Sequence, residues 1–178
     1  MKKPRLIAET AIMIALLVVL QAVTKSMGQF VTGSCVNLVL AVSTLTGGLI
    51  CGVIVAIVSP FFAFLLGIGT PIIQIVPGIA AGNLVFVLCL YFIVGPALKK
   101  SGSGKAVGAV CGVIAAALVK LVVLWAVVTK LLIPLAGLPE AQAAKLATTF
   151  SWPQLITALI GGFLALVIVP LLNKALKR

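Results

Sequence analysis

Long apolar runs bounded by lysines, arginines and glycines follow one another along this chain, and that pattern leaves few folds open. Hydrophobic residues make up 63% of the 178, and charged residues 8%. A soluble domain carries about a quarter charged residues, because its surface has to stay wet. The polar surface here is too small to cover a globule, so lipid is the expected solvent. One crossing takes about 20 apolar residues, so the length accommodates about six with short loops and no sizeable soluble domain. Backbone groups in lipid must be satisfied internally, and the runs are too long for barrel strands, so the crossings are helices.

The pattern therefore predicts an all-α integral membrane protein, a bundle of about six transmembrane helices forming one domain over 1–178. The helices fall at about 6–23, 35–46, 49–66, 79–98, 106–132 and 152–172. Gly47-Gly48 makes a tight turn between the second and third, and Pro77-Gly78 either precedes or kinks the fourth. Ser101-Gly102-Ser103-Gly104-Lys105 reads as a flexible basic linker. Residues 134–151 are the longest polar stretch, with a short interfacial helix expected at 140–146. The start, Met1-Lys2-Lys3-Pro4-Arg5, suits a signal peptide, but no A-x-A-like cleavage site follows, so it reads as a retained first helix.

Charge sets the expected orientation. Thirteen Lys+Arg stand against two acids, Glu9 and Glu140, for a net +11. On a soluble protein such an excess would suggest nucleic acid; here most of the basic residues end apolar runs, and no nucleic-acid partner is expected. With six crossings, Lys2, Lys3, Arg5, Lys99, Lys100, Lys105, Lys174, Lys177 and Arg178 share one face, against Lys25, Lys130 and Lys145 on the other. The richer face is the cytoplasmic one, which places both termini in the cytoplasm and the chain in the cell membrane.

Several chemistries are missing. There is no histidine, and Cys35, Cys51, Cys89 and Cys111 form no C-x-x-C. They read as small packing residues, and no metal or cofactor is expected. Glu9, four residues after Arg5, suits a surface ion pair, and Glu140 lies in a polar loop. With no acid in mid-span, a proton-driven carrier is disfavoured. The stretch Lys99-Lys100-Ser101-Gly102-Ser103-Gly104-Lys105 lacks the leading glycine of a phosphate loop, and Ala106 stands where magnesium needs Ser or Thr. No nucleophile, base and orienter come together, so an enzyme is not expected.

A few polar residues remain at membrane depth. Lys120 lies well inside the fifth run, where a cation is costly unless paired, and no intramembrane acid is available. It either snorkels to the outer interface or meets an anionic group on a ligand. Asn83, Gln74, Asn37 and Gln154 are candidates for further hydrogen bonds to such a ligand. Trp125 and Trp152 lie towards the outer interface, as an aromatic belt or as stacking partners of a flat solute. A cavity beneath the loops 24–34 and 134–151 would bind a small solute. Small residues recur at four-residue spacing, as in Ala11/Ala15, Gly48/Gly52, Gly78/Gly82 and Gly104/Gly108/Gly112. Such grooves let backbones approach, either within the bundle or at a docking face for another membrane protein.

Size, six helices with both ends inside, the basic N-terminus leading into Ala11-Ile12-Met13-Ile14-Ala15, and the stretch Pro77-Gly78-Ile79-Ala80-Ala81-Gly82-Asn83 together resemble one family. The chain is similar, over nearly its whole length, to the substrate-binding S components of energy-coupling factor (ECF) transporters. The resemblance implies high-affinity binding of a vitamin or similar micronutrient near the outer face, by helices 4 to 6 and the first extracellular loop. It also implies that Ala11 and Ala15 dock on a transmembrane coupling subunit, against which the chain topples, powered by two cytoplasmic ATPase subunits. The ligand stays open. A self-sufficient facilitator or channel and a non-transporting scaffold remain as alternatives.

Overall fold

The structure, a computed structural model, describes residues 3–99 and 102–175. All regular structure among them is helical. Among the described residues five helices are long and apolar enough to cross a membrane: Lys3–Met27, Gln29–Leu65, Ile73–Leu98, Gly104–Leu135 and Glu140–Ala175. Of the basic clusters, Lys2, Lys100, Lys177 and Arg178 lie outside the described residues.

Helix α1 (Lys3–Thr24) exposes Ile7, Ile12, Val19 and Val23 and buries Leu17 and Gln21, as suits a helix with lipid on most of its surface. A short turn, Lys25–Met27, ends at Gly28, whose φ of 86° favours glycine. Helix α2 (Gln29–Leu65) follows, and it is not straight. Gly48 inside it has φ 84° and ψ 178°, far from helical values. The side chain of Thr44 lies against the bare Cα of Gly52. In a straight helix those residues would be about 12 Å apart along the axis. The chain therefore folds back at Gly48, giving two helical arms. Gly47 at this bend is close to Glu9, so the bend sits beside the beginning of α1. The tight turn that the sequence suggests at Gly47-Gly48 corresponds to this reversal at Gly48, but the first arm starts at Gln29 rather than at 35.

Helix α3 (Val76–Cys89) carries Pro77 in its first turn, where the missing N–H breaks no helical bond. A π-helical stretch, Leu90–Val94, leads into α4 (Gly95–Leu98). Helix α5 (Ser103–Leu124) continues through a second π-helical stretch, Trp125–Leu132, into α6 (Ile133–Leu135). Helix α7 (Glu140–Thr149) precedes the last long helix, α8 (Trp152–Ala175).

Glycines allow the closest crossings. A Cβ on Gly161 of α8 would stand 2.6 Å from the backbone nitrogen of Leu38 in α2, and one on Gly82 of α3 would strike Leu124 at 2.6 Å. Such approaches gain the dispersion contacts on which helix association in lipid depends. One core layer is fully closed: Leu17, Leu40, Val55, Phe86, Ala117 and Ala158, drawn from α1, both arms of α2, α3, α5 and α8, have no exposed surface. A second cluster, including Leu124, Val128, Leu146 and Phe150, fastens α7 to the end of the bundle remote from the start of α1. At that end Lys25 Nζ donates an exposed hydrogen bond to the Leu66 carbonyl at 2.8 Å, joining the turn after α1 to the end of α2.

Candidate functional site

Directly above the closed layer lies a cavity of about 450 Å³. That is within the usual range for small-molecule sites, roughly 300–1,000 Å³. Each long helix places a polar side chain on it: Gln21 from α1, Asn37 and Ser59 from the two arms of α2, Asn83 from α3, Lys120 from α5 and Gln154 from α8. The apolar part of the wall includes Val36, Pro60, Phe64, Ile79, Leu146 and Phe150. Leu146 belongs to α7 and Phe150 directly follows it, so this helix and its end roof the site.

Lys120 organises the floor. Only 2% of it is exposed, and Nζ donates to Asn37 Oδ1 at 2.6 Å and to Asn83 Oδ1 at 2.8 Å. Both amides are oriented by groups that can only accept from them. Asn37 Nδ2 donates to the Gly33 carbonyl at 2.9 Å, which turns Oδ1 towards the lysine. Ser59 Oγ donates to the Ala56 carbonyl at 3.2 Å and so must accept from Asn83 Nδ2 at 3.0 Å. Phe86 lies beneath, its ring centroid 5.3 Å from Nζ, within cation–π reach. Gln21 extends the chain by donating Nε2 to the Ser59 carbonyl at 3.4 Å. Its Oε1 is buried without a hydrogen-bond partner.

Of the residues the sequence singles out for a ligand, Lys120, Asn83, Asn37 and Gln154 converge on this cavity. Gln74, Trp125 and Trp152 are not among its lining residues. Gln74 is exposed on the short turn Ile73–Ile75. Trp125 is 48% exposed and lies under Lys130, at 5.0 Å from Nζ to the ring centroid. Trp152 is 54% exposed and packs near Phe30, with centroids 5.6 Å apart. Gln21 and Ser59 belong to the site although the sequence does not single them out. The signal for Gln21 is an amide closing an otherwise apolar run; Ser59 gives none, since a serine in a membrane helix usually bonds its own backbone. At the rim stand Gln29, Gln142, Lys145 and Thr149.

Ala11 and Ala15 are exposed on α1. Arg5 Nε donates to Glu9 Oε1 at 2.8 Å at the start of the same helix. Among the described residues no three His, Cys, Asp or Glu side chains come close enough to hold a metal, and the four cysteines are free thiols. Oriented donors and acceptors around an apolar wall are the means by which a pocket recognises a small solute.

A family model described as "ECF transporter, substrate-specific component" matches residues 5–173. Comparison with curated proteins and with solved structures gave no match. The match covers almost all of the chain, from the first turn of α1 to the last turns of α8. The chain belongs to the substrate-specific components of ECF transporters and is a multi-pass membrane subunit that binds substrate for a transporter.

Proposed function

We propose that the chain captures a vitamin or similar micronutrient at the outer face of the cell membrane and delivers it through a separate, ATP-driven machine. The observation that carries this reading is the cavity whose floor is Lys120 held by Asn37 and Asn83. Burying a cation among neutral groups is costly, and a chain that only needed to pack would place an apolar residue there. Lys120, Asn37, Asn83 and Gln154 form the binding set in this reading. The exposed Trp125 and Trp152 suit an aromatic belt instead.

Six crossings with both termini in the cytoplasm fit the reversal at Gly48, which splits the 37-residue α2 into arms of bilayer length. They also fit the placing of charge. Lys3 and Arg5 begin α1 and Lys174 ends α8, whereas Gln21 and Gln154, on the cavity, lie at the opposite ends of the same helices. The cavity then faces outwards. On the cytoplasmic half of α1, Ala11 and Ala15 offer a shallow exposed face for a transmembrane coupling subunit, which two ATPase subunits would drive.

Reconstitution tests the whole reading. The purified chain alone should bind solute without accumulating it in proteoliposomes; with the coupling subunit and ATPases it should accumulate solute when ATP is supplied. Accumulation by the chain alone, against a gradient, would mark a self-sufficient carrier. Leakage without ATP would mark a facilitator.

A further inference from the structure

The polar groups left over at the floor of the cavity define the chemistry of its occupant. Lys120, as an ammonium, has three N–H donors, and Asn37 and Asn83 take two of them. Both acceptors are neutral, so the positive charge has no counter-ion. Among the described residues lining the cavity none is acidic, and Lys145 adds a second positive charge at the rim. A charge at this depth is stable only with an opposite one or with more hydrogen bonds.

A second, independent group complements it. Gln21 is 2% exposed and lines the same cavity. Its Nε2 is committed to the Ser59 carbonyl, which can only accept, so the unpartnered atom is the acceptor Oε1. It needs an O–H or N–H from the occupant. Gln21 and Lys120 are joined through Ser59 and Asn83 by consecutive hydrogen bonds, so the two unmet needs stand on one network lining the same cavity.

We propose that the solute is an organic monoanion, a carboxylate with a hydroxyl or amide N–H a few bonds from the acid group, bound acid end first. The carboxylate meets Lys120 and the neighbouring donor meets Gln21 Oε1. The remainder of the molecule lies along Val36, Pro60, Phe64 and Phe150 towards the rim. One buried cation matches one negative charge, which separates a carboxylate from a phosphate monoester dianion. This rests on the cavity being the solute site.

The test uses purified full-length protein in detergent and a panel of hydroxylated and N-acylated carboxylic acids. Each acid is paired with its neutral primary amide, the amine carrying an aminomethyl group in place of the carboxyl, and its deoxy counterpart, and binding is followed by thermal shift and calorimetry. Native mass spectrometry of the same preparation identifies any co-purifying molecule. At least one acid should bind, with its amide about tenfold to a hundredfold weaker, in line with the loss of a charge-assisted hydrogen bond. Lys120→Met should lose affinity for the acid by a similar factor while remaining folded by size exclusion; Lys120→Arg should retain part of it. Gln21→Met should weaken the hydroxylated acid and leave the deoxy one unchanged. An amide or amine binding as tightly as the acid, a neutral or cationic co-purifying ligand, or a folded Lys120→Met of unchanged affinity would overturn the assignment and leave the solute site standing. Failure of every compound to bind, with nothing co-purifying, would overturn the solute site itself.

Discussion

Lys120 Nζ and Asn37 Oδ1, 83 positions apart in the chain, meet at 2.6 Å and join α5 to the first arm of α2. The contact is charge-assisted and buried, so removing the acceptor leaves a lysine short of one partner. Asn37→Ala should destabilise the protein by about 1.5–3 kcal/mol. Lys120→Met in the same chain should recover part of that loss. A double-mutant cycle by thermal unfolding should give a coupling of about 0.5–3 kcal/mol, and additive losses would mean that the pair does not interact.

Glycines at two helix positions should respond in opposite directions. Gly161 faces the Leu38 backbone, where a Cβ would come to 2.6 Å and the backbone cannot yield as a flexible side chain would. Gly161→Ala should cost about 1–3 kcal/mol by overpacking. Gly104, in the first turn of α5, has nothing within 4 Å of a built Cβ. Gly104→Ala should stabilise by about 0.4–1 kcal/mol, because alanine loses less backbone freedom on folding. Unfolding midpoints in detergent compare the two, and equal shifts would contradict the packing described for α8 on α2.

The reversal at Gly48 carries its own signature. A Cβ there meets nothing, so any penalty comes from the backbone at φ 84°, ψ 178°. Gly48→Ala should cost about 1–3 kcal/mol despite the open space. Unchanged stability would place the bend elsewhere.

Ala11 and Ala15, exposed on α1, allow the proposed docking face to be tested apart from the cavity. Ala11→Trp or Ala15→Trp should abolish ATP-dependent uptake into proteoliposomes and leave solute affinity intact. A fall in affinity would show that these alanines support the cavity rather than a docking face.

Helical character and a lipid surroundings were legible from the sequence because both follow from apolar run length and scarce charge. The limits of α2 were not. The polar residues Gln29, Thr32 and Ser34 read as a loop, yet they extend the first arm, because Gln29 and Thr32 face the cavity rather than lipid. Lys120, Asn37 and Asn83 stood out one by one as polar residues in apolar runs. Their convergence depends on the relative rotation of three helices, which is set by glycine contacts too weakly patterned to assign in advance. Ser59 was silent for a related reason: it looks like an ordinary helix residue until its neighbour across the interface is known, whereas Gln21 shows only as an amide at the end of an apolar run.

The sealed layer of Leu17, Leu40, Val55, Phe86, Ala117 and Ala158 makes the chamber a blind one. At the same end of the molecule, outside the cavity lining, the Lys25–Leu66 tie is a single solvent-facing bond, worth about 0.5–1.5 kcal/mol. Below the floor, a straight path would displace side chains from every long helix at once. On the proposed reading, a solute that reaches the floor can leave by the way it came without repacking those helices, but cannot continue past them unless all of them move.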